Sequence, residues 1–389
     1  MPNRDQRLRP PFACIALLLQ GGGALGAYQA GIYQGLAEAD RDLEPDWVAG
    51  ISIGAINAAI IAGNAPNRRV DKLREFWDGV TTNVFSGFSE AFAPLLGLGS
   101  DFRSFFNQAS AARSAFSGAP GFFEPRFDQP WFYPQNGAGP TSYYDTSPLR
   151  GTLERVVDFD RINAREIDFS VGTVNVRTGN FVYFDNKKDT IKPEHIMASG
   201  ALPPGFPAIE IDGEFYWDGG LVSNTPLYWV VEYGPFRDSL VFQVDLWNAR
   251  GKIPDNMAEV TSRQKEIQYS SRTRETTERF AKVKNLRHMI GRALAKLPPE
   301  LQQQPDIVEL RAATDPSVYN IVHLIYRTKP SEGDARDYEF SHLSMADHWR
   351  AGHRDMLATL QHKEIFERPA ACDGVFTFDV LRDERAKHG

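Results

Sequence analysis

The chain has 389 residues, of which 42% are hydrophobic and 24% are charged. This composition excludes global disorder, and the length predicts one large domain with insertions or two smaller domains. The net charge of −7 argues against a dedicated nucleic-acid binder, and two cysteines, Cys14 and Cys372, are too few for a disulfide framework.

The amino terminus combines several arginines with an apolar run over residues 12–19, a pattern typical of a short export signal. The run continues directly into glycines 21–23 without a small-residue cleavage site, so the pattern favours a buried first strand that enters a glycine loop. No stretch reaches the roughly 18 apolar residues needed to span a bilayer. We therefore predict a cytoplasmic protein, and we leave open a peripheral contact with a membrane surface.

Residues 12–65 predict the order strand, glycine loop, helix, strand, tight turn and helix, which begins an α/β layer fold. Residues 80–145 interrupt this regular pattern and are rich in Phe, Gly, Pro and Ser. Eleven of the 26 phenylalanines lie between Phe85 and Phe132. We interpret this segment as an inserted lid, whose rings would line an acyl tunnel or touch a membrane.

Regular elements resume after the insert. The patterns predict, in order, a helix over 147–157, hairpins over 168–184 and 209–217, a strand over 239–247, a long helix over 256–297, a strand over 319–326 and a helix over 345–361. The long helix has ten Lys or Arg against four Asp or Glu, which marks a change in charge. We place a boundary there, with a catalytic domain at 1–247 and a C-terminal α+β extension of unknown role at 248–389.

The predicted long helix would be amphipathic. Its apolar face would contain Phe280, Val283, Leu286, Met289, Ile290 and Leu294. A basic amphipathic helix either contacts anionic lipid or packs on its own protein with its charges in water. The second arrangement is the more common one for surface helices, and we favour it.

The run GISIG at residues 50–54 fits the G-x-S-x-G pattern of a nucleophilic serine. Strand-like residues precede Ser52 and helix-like residues follow it, so the serine would occupy a sharp strand-to-helix turn with its hydroxyl exposed. Gly50 and Gly54 would remove Cβ atoms that clash at such a turn. An ordinary tight turn is the alternative, because so short a pattern is common by chance.

The run GGGALG at residues 21–26 follows a strand, opens a helix and satisfies the dinucleotide-binding pattern G-x-G-x-x-G. Backbone N–H groups at such a helix start bind an anion, either a cofactor pyrophosphate or the oxyanion of an acyl-transfer intermediate. A dinucleotide site needs an acidic residue at the end of the second strand. Ser52 stands there instead, so the pattern favours the oxyanion and leaves a nucleotide-binding oxidoreductase as a lesser alternative.

A nucleophilic serine needs a base, and Asp218 is the candidate. It directly follows a hairpin strand and precedes two glycines, although an aspartate that caps its own turn would look the same. Phe215 and Trp217 would exclude water from its carboxylate and so raise its pKa. Histidines offer no clear third member, since no motif links them to Ser52 or Asp218, and surface or interface positions are the simpler interpretation. The histidines considered are His195, His323, His342, His348 and His353. Of these, His195 follows Pro193 closely and would lie at the start of a helix.

These motifs together resemble those of the patatin-like phospholipases. The glycine loop, the serine turn and the Asp218 segment occur in that family's order, as do the runs at 197–206 and 222–226. The resemblance covers residues 12–247 and implies a three-layer α/β/α fold with a Ser–Asp dyad in place of a triad. It implies that Ser52 attacks an ester carbonyl, that Asp218 accepts the serine proton, and that no metal or cofactor takes part.

The resemblance also implies an oxyanion hole of backbone N–H groups. Its candidate residues are Gly21, Gly22, Gly23 and Ile53, and the glycines that support the motifs are Gly26, Gly50, Gly54, Gly219 and Gly220. Many family members carry a basic residue where this chain has Leu25, and this departure favours neutral esters. The predicted function is a serine acyl hydrolase with a lipid ester as its substrate, and the alternative is a non-catalytic binder of lipid or acyl chains.

Overall fold

A computed structural model describes residues 8–81, 118–126, 140–227, 229, 237–327, 336–369 and 374–380. Most of the predicted lid at 80–145 lies outside these ranges. Among the helices built from the described residues, none joins enough length to enough apolar character to cross a membrane.

The first elements follow the predicted order. They are β1 (Cys14–Leu19), a short 3-10 turn (Gly23–Gly26), α1 (Ala27–Glu38), β2 (Trp47–Ile51), α2 (Ile53–Ala62) and α3 (Arg69–Val80). Both strands are buried along their whole length, which explains why their sequences show no polar alternation. The apolar run near the amino terminus is therefore a core strand that enters the glycine loop.

The middle of the chain contains the two predicted hairpins. Its elements are β3 (Glu124–Pro125), β4 (Tyr144–Asp145), α4 (Ser147–Val156), α5 (Phe159–Asn163), β5 (Asp168–Asn175), β6 (Phe181–Asp185), α6 (Pro193–Ser199), β7 (Ile209–Ile211), β8 (Glu214–Asp218) and β9 (Ser239–Asp245). The hairpins pair β5 with β6 and β7 with β8, both antiparallel.

The last part of the chain begins with one very long helix. Its elements are α7 (Met257–Leu294), α8 (Pro299–Gln302), α9 (Pro305–Ala312), β10 (Tyr319–Ile325), α10 (His342–Thr359) and β11 (Val375–Phe378). The side chain of Asn256 caps α7 by accepting the N–H of Glu259 at 3.0 Å. The predicted helices and the predicted strand of this region are all present, with ends shifted by a few residues.

Nine strands among the described residues form one mixed sheet in the order β11-β10-β9-β1-β2-β5-β8-β7, with β6 also paired to β5. The neighbours from β11 to β5 run parallel. Alternate residues of β1 enter two separate cores: Leu17 packs on the side that holds α1 and α10, whereas Leu18 packs on the side of Phe280 in α7. The chain therefore has the predicted three-layer α/β/α architecture.

Residues after 248 extend this sheet. β10 pairs in parallel with β9 along its whole length, from Tyr319 opposite Ser239 to Ile325 opposite Asp245. The predicted boundary near residue 248 falls between β9 and α7. The division into a catalytic domain at 1–247 and a C-terminal extension at 248–389 stays a prediction.

Helix α10 packs directly on α1, backbone against backbone. A Cβ added at Gly31 would collide with the carbonyl oxygen of Trp349, and one added at Gly352 would collide with that of Tyr28. Glycine is required at both positions because the two helices approach too closely for any side chain.

The buried face of α7 differs from the predicted one. Leu286 and Met289 are 52% and 51% exposed, whereas Lys284 is buried beside Phe280. The ammonium of Lys284 pairs with the equally buried carboxylate of Asp315. The apolar pattern could not reveal this arrangement, because an ion pair offsets the cost of burying a charged side chain. Through this face the helix packs on its own protein, as we favoured.

Candidate active site

Ser52 lies at the sharp turn between β2 and α2. Its φ of 57° and ψ of −125° fall in a region that side chains rarely adopt, as expected for a strained turn that exposes a nucleophile. A Cβ at Gly50 would collide with the carbonyl oxygen of Gly54, and one at Gly54 would collide with that of Leu19. Both glycines are therefore required for this turn.

Ser199, at the end of α6, is hydrogen-bonded to the turn that contains Ser52. The main-chain N–H of Ser52 donates to the Ser199 hydroxyl at 3.0 Å, and that hydroxyl donates to the carbonyl of Gly172 at 2.7 Å. Ser199 is fully buried, so water does not compete for these bonds. Ser199 lies within the run at 197–206 that carried the resemblance, but the sequence alone did not suggest its role.

Asp218 ends β8 and is only 2% exposed. Its carboxylate accepts a hydrogen bond from the main-chain N–H of Gly220 at 2.7 Å. Burial raises the pKa of Asp218 to about 7, although this bond and the nearby side chain of Ser52 act in the opposite direction. Ser52 and Asp218 therefore lie close together in one cavity.

Strand β5 brings Ser52 and Asp218 together. It pairs in parallel with β2, where Ile51 lies opposite Gly172, and antiparallel with β8, where Thr173 lies opposite Asp218. A Cβ at Gly219 would lie only 2.6 Å from the carbonyl oxygen of Gly172, so a glycine must follow Asp218 for the chain to pass here. Ile51, the residue before Ser52, thus has Gly172 as its neighbour on β5. Asp218 has the next residue of β5, Thr173, as its neighbour.

The two residues that we predicted to exclude water from the carboxylate of Asp218 do not line the cavity around it. Phe215 is 49% exposed, so the prediction that it excludes water from the carboxylate was wrong. Successive residues of a strand face opposite sides of the sheet, and Phe215 is an odd number of positions from Asp218. The same alternation turns Trp217 to the face opposite Asp218, and Trp217 is absent from the described residues that line the cavity around the carboxylate.

The glycine loop lies beside Ser52. A Cβ at Gly21 would lie 3.0 Å from the Cβ of Ser52. The carbonyl of Gly21 accepts hydrogen bonds from the Asn224 side chain at 3.0 Å and from the Trp247 indole at 2.9 Å. These two bonds fix the orientation of the loop, because its glycines have no side chains of their own to anchor it.

Three residues that line the same cavity as Ser52 have backbone N–H groups that are candidates for an oxyanion hole. Those of Gly22, Gly23 and Ile53 donate to no backbone carbonyl in the described parts of the chain. All three residues line the cavity into which Ser52 and Asp218 open. Unpaired N–H groups beside a serine hydroxyl can bind a developing oxyanion.

The cavity at Ser52 has a volume of about 80 Å³. Its lining includes a cluster of aromatic rings in mutual contact, formed by Phe122, Phe123, Phe206 and Phe340. Phe122 and Phe123 belong to the Phe-rich insert, and the other members of that cluster lie outside the described residues. The lining also includes residues with polar groups, namely Asn224, Trp247, Tyr269, Asp337 and Tyr338. The cavity thus combines apolar surface with a few polar groups, as ligand sites commonly do.

Several of the polar lining residues were not predicted. Tyr269, Asp337 and Tyr338 come from beyond residue 248, far from every motif. Burial, together with the nearby charge of Asp218, raises the pKa of Tyr269 to about 12, so its phenol stays protonated at neutral pH. No local pattern marks these residues, because only the folding of the last third of the chain against the first brings them to the site.

The histidines lie elsewhere. The Nδ1 atom of His195 accepts the main-chain N–H of Lys192 at 3.0 Å, in the first turn of α6 as predicted. His353 of α10 lies 2.6 Å from the carboxylate of Glu38 of α1, an interface position. None of the described histidines lines the cavity at Ser52.

The family of the chain follows from the match of its residues to family models. Residues 17–229 match the model of the patatin-like phospholipases, and residues 267–371 match a second model described as patatin phospholipase. The first match spans more than half of the chain. The chain therefore belongs to the patatin-like phospholipase family, and this membership supports a lipid acyl hydrolase.

Solved structures similar to the chain come from two bacteria. One is VipD from Legionella pneumophila, with a TM-score of 0.37 and 13% identity over 91% of this chain and 70% of that chain. Another is the structure of full-length ExoU with full-length SpcU from the type III secretion system of Pseudomonas aeruginosa, with a TM-score of 0.24 and 18% identity over 79% of this chain and 61% of that chain. No curated protein matches the chain.

Proposed function

We propose that this protein is a serine acyl hydrolase that cleaves carboxylic esters of lipids, with Ser52 as nucleophile and Asp218 as base. The observation that carries the proposal is the proximity, within one cavity, of the Ser52 side chain and a buried Asp218 whose pKa is about 7. A carboxylate with this pKa is well matched to accept and return a proton at neutral pH.

Acylation would begin with attack of the Ser52 Oγ on the ester carbonyl carbon, while the serine proton passes to Asp218. The resulting oxyanion would accept hydrogen bonds from the N–H groups of Gly22, Gly23 and Ile53, and one such donor contributes about 3 kcal/mol in comparable sites. Collapse of the intermediate would break the bond to the alcohol, which leaves with the proton from Asp218. The acyl group would then be bound to Ser52.

Deacylation would reverse these roles. A water molecule would give its proton to Asp218 and attack the acyl carbonyl, and the same N–H groups would stabilise the second oxyanion. Collapse would return the proton to the Oγ of Ser52 and release the carboxylic acid. One carboxylate serves as base and as acid in each half of the cycle, so a third catalytic side chain is not required.

The walls of the cavity support an apolar acyl group and a neutral alcohol. Phe122 and Phe123 line the cavity and would offer apolar surface to an acyl chain. Leu25, at the position where many family members have a basic residue, is fully buried in the core and offers no charge to a headgroup. We therefore propose uncharged lipid esters as the preferred substrates.

The test is the release of carboxylic acid from a panel of lipid esters that vary in chain length and headgroup. Ser52→Ala and Asp218→Asn should each lower kcat by about a thousandfold or more. Asp212→Asn is the matched control, because Asp212 lies in the turn of the same hairpin, is exposed, and has a positive φ of 50° that Asn tolerates.

Retention of full activity by Ser52→Ala and Asp218→Asn would refute the proposal. If the wild-type protein retained lipid but a fluorophosphonate probe did not label Ser52, the result would favour a non-catalytic lipid binder. A thermal shift with NAD(P) would instead favour the nucleotide-binding alternative.

A further inference from the structure

A short segment from the last third of the chain forms part of the cavity wall. This wall segment (residues 336–340) contributes Asp337, Tyr338 and Phe340 to the cavity that contains Ser52 and Asp218. It lies outside residues 17–229, which match the patatin-like model. The cavity is therefore incomplete without a segment that the catalytic motifs do not include.

The wall segment holds the glycine loop through main-chain contacts. The carbonyl oxygen of Asp337 accepts the N–H of Ala24 at 2.9 Å. A Cβ at Gly23 would collide with that same oxygen, and Gly23 has a φ of +56°. The position of this carbonyl therefore determines where the N–H groups of Gly22 and Gly23 can lie.

Helix α7 holds the wall segment in turn. The ammonium of Lys265 donates to both carboxylate oxygens of Asp337, at 2.9 and 3.0 Å. The guanidinium of Arg336 donates to the carboxylate of Glu266 at 2.7 Å. The side chains of Asp337 and Lys265 are only 11% and 24% exposed, so water screens their attraction weakly. Two adjacent ion pairs thus join the segment to one turn of the helix.

We propose that the Lys265–Asp337 ion pair is a positioning device for the oxyanion hole. It holds the Asp337 carbonyl against the glycine loop, so that the N–H groups of Gly22 and Gly23 stay aimed at the oxyanion of Ser52. The loop cannot do this through its own side chains, because residues 21–23 have none. A preorganised donor pair stabilises the transition state more than the bound ester, so the ion pair acts on kcat rather than on KM.

Lys265→Met tests this inference because it removes the cation and keeps an unbranched apolar stem. We expect kcat to fall about 10- to 100-fold, with KM changed less than about threefold. A trifluoromethyl ketone, which forms a tetrahedral oxyanion adduct on Ser52, should lose affinity in parallel. The unfluorinated ketone, which resembles the ground state, should bind nearly as before. Lys265→Arg keeps the cation and should retain most of kcat.

Lys284→Met is the matched control. It breaks another buried ion pair of the same helix, with Asp315, outside the cavity. It should lower the melting temperature without a selective loss of kcat or of trifluoromethyl ketone affinity. If Lys265→Met does not fold, Asp337→Asn alone tests the proposal. This variant removes the carboxylate charge that pairs with Lys265 and keeps the main-chain carbonyl that contacts the glycine loop. Wild-type kcat in folded variants, or an equal loss of affinity for both ketones, would overturn the proposal.

This inference depends on the proposed function, and Ser52→Ala separates the two. If hydrolysis by the wild-type protein does not depend on Ser52, the proposed function fails. If hydrolysis depends on Ser52 but not on the Lys265–Asp337 pair, only the positioning role fails.

Discussion

The main-chain N–H of Gly220 donates to the carboxylate of Asp218 at 2.7 Å, in the turn that directly follows β8. This bond favours the charged carboxylate, whereas burial favours the neutral acid. Burial has the larger effect, and the pKa of Asp218 is about 7. The hydrogen bond in the turn thus limits the rise in the pKa of Asp218. A larger rise would leave Asp218 protonated at the pH where it must accept a proton.

The first prediction concerns the pH dependence of hydrolysis. Only the ionised form of Asp218 can accept the serine proton, so kcat/KM for an uncharged ester should fall below pH 7 and reach a plateau above it. The slope on the acid side should approach about tenfold per pH unit. Initial rates between pH 5 and 9 measure this profile, and Asp212→Asn should share it. A midpoint near the ordinary aspartate value of about 4 would contradict the prediction.

The second prediction concerns stability. The folded chain binds the Asp218 proton more tightly than the unfolded chain, whose aspartate pKa is about 3.9. The resulting stabilisation is complete below pH 4 and is lost as pH rises through about 7. Asp218→Asn should therefore gain stability over the wild type as pH rises, by up to about 4 kcal/mol at pH 8. Urea unfolding of both proteins at pH 4.5 and 8 measures this gain. If the free energies of unfolding of the variant and the wild type differed equally at the two pH values, the prediction would be refuted.

The third prediction concerns Ser199. Ser199→Ala leaves the N–H of Ser52 without its partner, so the strained turn should loosen and kcat should fall about 10- to 100-fold. Ser170→Ala is the control, because Ser170 is equally buried and its hydroxyl donates to Asp185 at 2.7 Å, away from the cavity. Both variants should lose about 1–3 kcal/mol of stability. Equal kcat values for the two variants would show that Ser199 does not position Ser52.

The fourth prediction concerns the contact between α1 and α10. Gly31→Ala should lower the free energy of unfolding by about 1–3 kcal/mol or more, because its Cβ would collide with the carbonyl of Trp349. Gly151→Ala is the control, since a Cβ there meets nothing within 4 Å and a helical alanine is favoured by up to about 1 kcal/mol. In denaturant unfolding, we expect the free energy of unfolding to fall for Gly31→Ala and to rise for Gly151→Ala. A rise for Gly31→Ala would disprove the close contact.

Local patterns predicted much of the fold and the candidate nucleophile and base. The apolar run over residues 12–19 identified β1 as a buried strand, and glycines on both sides of Ser52 identified a turn that a Cβ would block. Asp218 was found because a hairpin strand ends there. These features depend on neighbours in sequence, so one sequence was enough to reveal them.

Contacts between distant parts of the chain could not be predicted in this way. Gly31 and Gly352 look like ordinary helix glycines in the sequence, and only the contact between the two helices shows why glycine is needed there. Lys284 looks like a surface lysine until Asp315 lies against it. Asp337 has no motif around it, and the partners of its carboxylate and of its carbonyl, Lys265 and Ala24, are distant in sequence. Such residues are recognised only by their partners in space.

The pairing of β10 with β9 also bears on where the protein can be shortened. A chain that ends near residue 248 would leave β9 at the border of the sheet, with the backbone groups that now bond to β10 left open along residues 239–245. Exposed strand borders pair readily with other chains. A truncated catalytic fragment should therefore aggregate, so the smallest form fit for purification extends at least through β10.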